Sequence, residues 1–438
     1  MRGYNNWSFK PYIPYDKKST GPYICRLEPG EDYICGEWFD LRDHGEHILH
    51  YFESGKDEVK SFHLSNNCFT IKNLKPDTEY GIFIQGKDRS NIRLARTGYV
   101  PGKVVSYLHY MDTQYDFSGH SLCSPSILRL PNGSLLASND YYKAKSPQNL
   151  TSIFRSDNNG KSWYYVTDLY PCFWGKLFYH KDSVYMLATA NEYGDLLIGK
   201  SDDEGRTWTT PTVILRGSNS CFESGFHKAP NNIVRAYGRL WTSIDYGSWV
   251  RKSFSNSIFS IDENADLLQA ENWCCTGFLK HDPHWENAED IPGAIEGNIV
   301  VAPDGSIVNM LRYCKNKALM LIIDSDKPEE LPRFHRIIDF PLGHSKFEII
   351  QKGSKYYAVG NRLPLRTILS LYVSEDLYNW DYVMDLINYE ELPPSKVGFQ
   401  YPSAFIENDI LYVLLRTGFN HAYNYHDANY ITFHKYNV

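Results

Sequence analysis

A chain of 438 residues is long enough for two or three domains and a large core. Its 45 Lys and Arg against 52 Asp and Glu leave a net charge of −7 with no basic stripe, which argues against nucleic acid as a partner. No apolar run reaches the roughly eighteen residues of a membrane span, and Met1-Arg2-Gly3-Tyr4-Asn5-Asn6 lacks the apolar stretch of a signal peptide. The sequence therefore predicts no membrane partner and a cytoplasmic protein, or a secreted one if a leader has been trimmed.

Residues 20–100 read as a separate all-β module. Short strand patterns at 23–27, 34–39, 47–52, 70–74, 80–85 and 92–96 alternate with turns. Leu74-Lys75-Pro76-Asp77-Thr78-Glu79-Tyr80 precedes one of them, and Trp38 is the candidate core tryptophan. Val100-Pro101-Gly102 is a short, stiff linker. From 103 to 438 the chain repeats a unit of polar loop, apolar strand, turn and second strand. The first strands are expected at 126–130, 176–179, 232–235, 298–301, 347–351 and 403–407. The last unit stops one strand short, and 104–110 can supply that strand and remove the open edges.

Within these units one phrase recurs. Ser156-Asp157-Asn158-Asn159-Gly160-Lys161-Ser162-Trp163 returns as Ser201-Asp202-Asp203-Glu204-Gly205-Arg206-Thr207-Trp208, and in worn form as Ser374-Glu375-Asp376-Leu377-Tyr378-Asn379-Trp380. The physics is local. The acidic or amide side chain accepts backbone hydrogen bonds in a tight turn, Gly takes a left-handed angle, and Trp packs between sheets. The pattern S-x-D-x-G-x-[ST]-W resembles the Asp box of the sialidase superfamily. L-x-P-x-T-x-Y resembles the tyrosine corner of fibronectin type III domains. Together these resemblances imply an all-β chain: an N-terminal fibronectin-type β-sandwich, then a six-bladed, sialidase-like β-propeller with its active site at one mouth. Asp boxes sit away from that site.

In a propeller the innermost strands converge, so the six strand entries face one another. They carry His120, Trp174 and Lys176, His227 and Lys228, Glu296, His344 and Lys346 with Glu348, and Tyr401. Here the resemblance becomes residue-specific. Gln400-Tyr401-Pro402-Ser403 is similar to the sialidase segment with the nucleophilic tyrosine. Glu296, followed by Arg312, is similar to the tyrosine's glutamate partner and one substrate arginine. Arg366, eight residues before Ser374, is similar to a further arginine of the triad. The residue types suit an anionic sugar. Guanidinium binds a carboxylate bidentately. A tyrosine nucleophile avoids the repulsion a carboxylate would meet, and a nearby Glu takes its proton.

Two positions depart from the pattern. Cys123 stands where sialidases place the first triad arginine. The segment 141–155 holds no Asp or Glu where they place the acid, with Gln148-Asn149 near the expected spot. His120, His227 and His344 are the candidates for the missing acid, Trp174 for a stacking wall, and Lys176, Lys228 and Lys346 for carboxylate binding beside Arg312 and Arg366. The expected partner is an acidic oligosaccharide or polysaccharide, and the expected activity is glycoside hydrolysis that departs from a conventional sialidase. A polysaccharide lyase working by β-elimination next to a uronate uses the same inventory of His, Tyr, Arg and Lys. A non-catalytic glycan-binding propeller is the third reading. Nine cysteines, odd in number and without a C-x-x-C pair, predict free thiols; no metal or other cofactor is expected.

Overall fold

The computed structural model describes residues 4–15, 21–43, 45–218 and 220–438, so the expected start of the N-terminal module at residue 20 lies outside the described residues. Among the described residues the chain is strand and turn, with one 3-10 turn at Ala270–Asn272 and no helix long and apolar enough to cross a membrane. All nine cysteines are free.

Residues 23–96 build two facing sheets. Tyr23–Pro29, Ile34–Phe39 and Cys68–Ile71 form one; Val59–Leu64, His47–Glu53, Glu79–Gln85 and Arg93–Arg96 form the other. Ile24, Leu27, Ile34, Trp38, Leu49, Phe69, Ile82 and Ile84 fill the space between them. The Tyr80 hydroxyl accepts the Lys75 N–H at 3.0 Å, the local bond that the L-x-P-x-T-x-Y pattern anticipates. A buried Arg93–Asp112 pair at 2.5 Å ties this module to the chain beyond the linker.

Six antiparallel sheets follow. Their first strands are Ser121–Arg129, Phe173–His180, the split pair Gly225–His227 and Val234–Ala236, Ile295–Val301, Glu348–Lys352 and Gly398–Glu407. The sixth sheet completes itself with Lys103–Tyr107, which pairs with Tyr430–Asn437, so the borrowed strand is where the sequence places it but stops at Tyr107.

Between each neighbouring pair of sheets lies an apolar core. Leu136, Leu177 and Met186 pack between the first and second sheets, Leu187, Ile244 and Phe259 between the second and third. Trp241, Ile258 and Ile307 join the third to the fourth, Met310, Met320 and Ile349 the fourth to the fifth, and Val359, Leu371 and Val413 the fifth to the sixth. Ile127, Leu135, Leu414 and Phe433 then join the sixth to the first. Side chains also stitch the first strands together. Ser126 Oγ accepts Leu177 N–H at 3.0 Å, Asn298 Oδ1 accepts Ile349 N–H at 3.0 Å, and Ser403 Oγ accepts Ile127 N–H at 3.2 Å. The last of these returns the series to its start.

The Asp-box turns lie between the third and fourth strands of their sheets, far out from the first strands. Ser156 and Ser201 each accept the box glycine N–H at 2.8 Å, and Asp203 accepts Arg206 and Thr207 N–H groups. In the worn copy Leu377 itself adopts the left-handed angle, φ 69°, in the absence of a glycine. A segment that sequence reasoning left unassigned, Ser8–Phe9, adds a fifth strand to the first sheet. Trp7 beside it is buried edge-on against Trp208.

Candidate active site

Four of the six first strands carry the same irregularity. One extra residue is inserted between Cys123 and Ser126, Phe173 and Lys176, Ile295 and Asn298, and Gln400 and Ser403. Within each bulge one non-glycine residue takes a left-handed φ: Ser124 at 49°, Trp174 at 53°, Glu296 at 59° and Tyr401 at 54°. Such conformations cost about 1–3 kcal/mol each and persist where the surroundings enforce them. The enforcement is visible. Asp140 Oδ2 accepts the Trp174 N–H at 2.6 Å, and Asp245 Oδ2 accepts the Glu296 N–H at 2.8 Å. Each carboxylate comes from the preceding sheet. Burial of Asp140 pushes its carboxyl up to about 7, against hydrogen bonds from Thr151, Trp174 and Ser124.

The bulges gather the chemistry. Arg312 Nη1 donates to Glu296 Oε2 at 2.9 Å, and the Tyr401 phenol interacts with both. Burial raises the Glu296 pKa, but Arg312 and His227 outweigh it and hold the carboxyl below its ordinary value. The phenol shifts the other way. Burial and the Glu296 charge raise it, opposed by Arg312, Arg366 and Arg416. At neutral pH this is a protonated phenol beside an ionised carboxylate placed to accept its proton.

Sequence reasoning did not find Arg416. It stands opposite Gln400, the residue before the Tyr401 bulge, just as Arg312 stands opposite Ile295, the residue before the Glu296 bulge. That parallel register is the signal that could have found it. Its guanidinium lies 5.3 Å from the Tyr401 ring centre and 5.5 Å from that of Tyr142, and its charge acts on Cys123. A guanidinium on the sixth sheet thus acts on Cys123 of the first. Arg366 stands 5.7 Å from the Tyr401 ring, bonded to Gln400 Oε1. Arg366 and Arg416 are 9% and 3% exposed. Neither makes an ion pair among the described residues, and the Nε–H of each has no partner there.

Trp174 packs against His227 at 4.5 Å between centroids, and His227 Nδ1 lies 3.3 Å from Asp245 Oδ2. His344 is half-buried, its pKa lowered by burial and by Arg312 and Arg366. His120 contacts Lys143 at 3.2 Å in a groove of about 390 Å³, lined also by Tyr110, Tyr142 and Tyr423.

Lys176, Lys228 and Lys346 stand elsewhere than the sequence expects. They are 3%, 0% and 0% exposed and gather around Glu348, away from solvent. Lys346 bonds Glu348 and the Pro402 carbonyl, Lys176 reaches Glu348 at 3.7 Å and Ser403 at 3.3 Å, and Lys228 donates to Ala229 O at 3.1 Å. For Lys176 the cause is the bulge at Trp174, which resets the alternation of faces two places before it. Burial pulls Lys176 down to about 8, and burial with the Lys176 charge pulls Lys228 down to about 7. A folded state that binds fewer protons than the unfolded chain gains stability as pH rises from about 7 towards the free-lysine value. Lys228→Met is therefore expected to stabilise the protein at pH 6 more than at pH 9, read by urea unfolding at both. Equal shifts at both would mean that Lys228 is not a strained cation.

The profile of the BNR repeat-like domain family matches residues 176–413. Among solved structures the chain resembles a Hadza microbial sialidase at 11% identity, covering 96% of this chain and 95% of that one, with a TM-score of 0.52. It also resembles the intramolecular trans-sialidase of Ruminococcus gnavus, at 13% identity over 74% of this chain and 96% of that one, TM-score 0.50. A third likeness is to an α-L-arabinanase of Penicillium chrysogenum, at 12% identity over 76% and 98%, TM-score 0.50. At these identities the likeness is one of fold. No curated protein matches the chain in sequence.

Proposed function

The chain belongs to the BNR repeat-like domain family, with the sialidase-type Asp-box fold, and from that premise we propose that it is a glycoside hydrolase acting on a glycan with a carboxylate-bearing sugar. In this reading the six sheets are the blades of a six-bladed propeller spanning 103–438, and 20–100 is a fibronectin-type sandwich docked on it. Tyr401 attacks the anomeric carbon and Glu296 takes its proton. Arg312 fixes Glu296, while Arg366 and Arg416 receive the substrate carboxylate. Trp174 forms a wall.

One observation carries the acidic substrate. Two guanidinium groups flank Tyr401, nearly buried, with no ion pair among the described residues. Burying an unpaired charge is costly, and such an arrangement suits a site completed by an anion. Elimination next to a uronate is the competing reading. What favours it is His344, kept neutral by burial between Arg312 and Arg366 and so able to act as a base. Incubation with sialosides and with uronate polysaccharides separates the two. Hydrolysis releases reducing sugar alone, whereas elimination also creates a conjugated unsaturated uronate that absorbs in the ultraviolet. Release of neutral sugars only would defeat the acidic-substrate reading.

A further inference from the structure

A hydrolase with Tyr401 as nucleophile needs a proton for the departing glycosidic oxygen. The loop from Lys143 to Leu150, where the sequence expects an acid, carries no carboxylate. Its Gln148 is fully buried with a left-handed φ of 49°, and donates Nε2–H to Glu192 Oε2 at 2.7 Å. Glu192 belongs to the second sheet, in the loop between Ser183–Thr189 and Leu196–Ser201. That loop is pinned. Ala190 N–H bonds Asp195 O at 2.8 Å, and Gly194 N–H bonds Asn191 O at 2.9 Å. Tyr193 bridges Phe226 of the third sheet and accepts the Trp249 N–H at 3.2 Å. Its ring lies 5.9 Å from Trp174 and 6.5 Å from His227.

The other carboxylates near the mouth are committed. Asp140 and Asp245 hold the bulges, Glu296 pairs with Arg312, Glu348 sits among lysines, and Asp427 bonds His426 at 2.8 Å. Glu192 is half-buried and makes no ion pair among the described residues. We propose that Glu192, presented by Gln148, is the acid and base of the reaction, standing in from the second sheet for the carboxylate missing from the first. This rests on the hydrolase reading above.

The electrostatics agree. Around the Glu192 carboxyl stand His227, Tyr142, Tyr193 and Cys221. Burial raises its pKa against His227 and the bonds from Gln148 and Tyr193, whereas Glu296 is held low. Two carboxyls pushed in opposite directions divide acid from base. In the first step the Tyr401 oxygen bonds to the anomeric carbon, its proton passes to Glu296, and the Glu192 proton goes to the leaving oxygen as its bond to carbon breaks. In the second step the Glu192 carboxylate takes a proton from water, the water oxygen bonds to the anomeric carbon, and the Tyr401 oxygen leaves and recovers its proton from Glu296. One water is consumed, and each residue ends as it began.

The test compares Glu192→Gln with wild type on 4-nitrophenyl and lactosyl glycosides of N-acetylneuraminic acid and of glucuronic acid. A good leaving group needs no proton. The variant is expected to lose roughly 10²-fold or more on the lactosyl glycoside and far less on the nitrophenyl one. Azide should restore turnover as glycosyl azide, and the alkaline limb of the pH profile should move. Equal loss on both glycosides, or none on either, overturns the proposal. Tyr401→Phe run in parallel keeps the two ideas apart. If it abolishes hydrolysis that Glu192→Gln leaves intact, only Glu192 fails. A readout without substrate is the carboxyl carbon resonance of labelled glutamate that disappears in Glu192→Gln. Titration above the ordinary glutamate range supports the assignment, and titration within it overturns it.

Discussion

Tyr401→Phe is expected to abolish turnover of the acidic glycan, a loss of at least roughly 10³-fold, while leaving stability nearly unchanged. Only a hydroxyl is removed, the left-handed backbone suits Phe no worse than Tyr, and the Glu296–Arg312 pair at 2.9 Å survives. Hydrolysis and elimination share this expectation, so Glu296→Gln goes beside it. The amide keeps the size of the side chain but cannot take the phenolic proton, and a hydrolase loses roughly 10²-fold or more. A lyase using His344 as base is much less affected. Full activity of Tyr401→Phe would mean that the bulged constellation is not the working site.

The second large effect has two signs. Arg416→Met removes a buried cation whose side-chain hydrogen bonds go to the carbonyl and ring of His426, with Asp427 bonded to His426. The same cation, with burial second, pushes His426 down to about 4. Burying a charge without an ion-pair partner is costly, so an apolar side chain of similar length in its place is expected to leave stability unchanged or raised. Losing a charged hydrogen-bonding partner for the substrate costs roughly 1.5–3 kcal/mol, about 10- to 150-fold in kcat/KM. The variant is therefore expected to melt at the same or a higher temperature and to cleave acidic glycans poorly, with neutral analogues little changed. Melting curves and kinetics on the same preparation check both signs. If stability falls together with activity on every substrate, Arg416 holds the sheet and reads no carboxylate.

The Arg416 variant also bears on the departure at Cys123. An arginine missing from the first strand implies a carboxylate clamp short by one member. Arg416 brings a guanidinium to that neighbourhood from the sixth sheet.

What the sequence determined by itself was whatever depends on neighbours along the chain. The Asp-box turns close on their own Ser, Asp and Gly, and Tyr80 reaches back only to Lys75. The repeat of strands is legible for the same reason, and it exposes the missing strand that Lys103–Tyr107 fills. Tyr401, Glu296, Arg312 and Arg366 were legible because each lies within a short recognisable phrase. The tertiary structure decided the rest. The four bulged first strands begin earlier than their apolar runs, because polar residues at a bulge read as loop. Each bulge resets the alternation of faces, and this places Trp174 beside His227 and Glu296 beside Arg312 but Lys176 in the Glu348 cluster. Arg416 lies within an apolar strand whose pattern reads as core, and Glu192 in a loop of another sheet. Arg416 reaches Tyr401 through the register of one hairpin, whereas Gln148 and Glu192 meet only where two sheets come together.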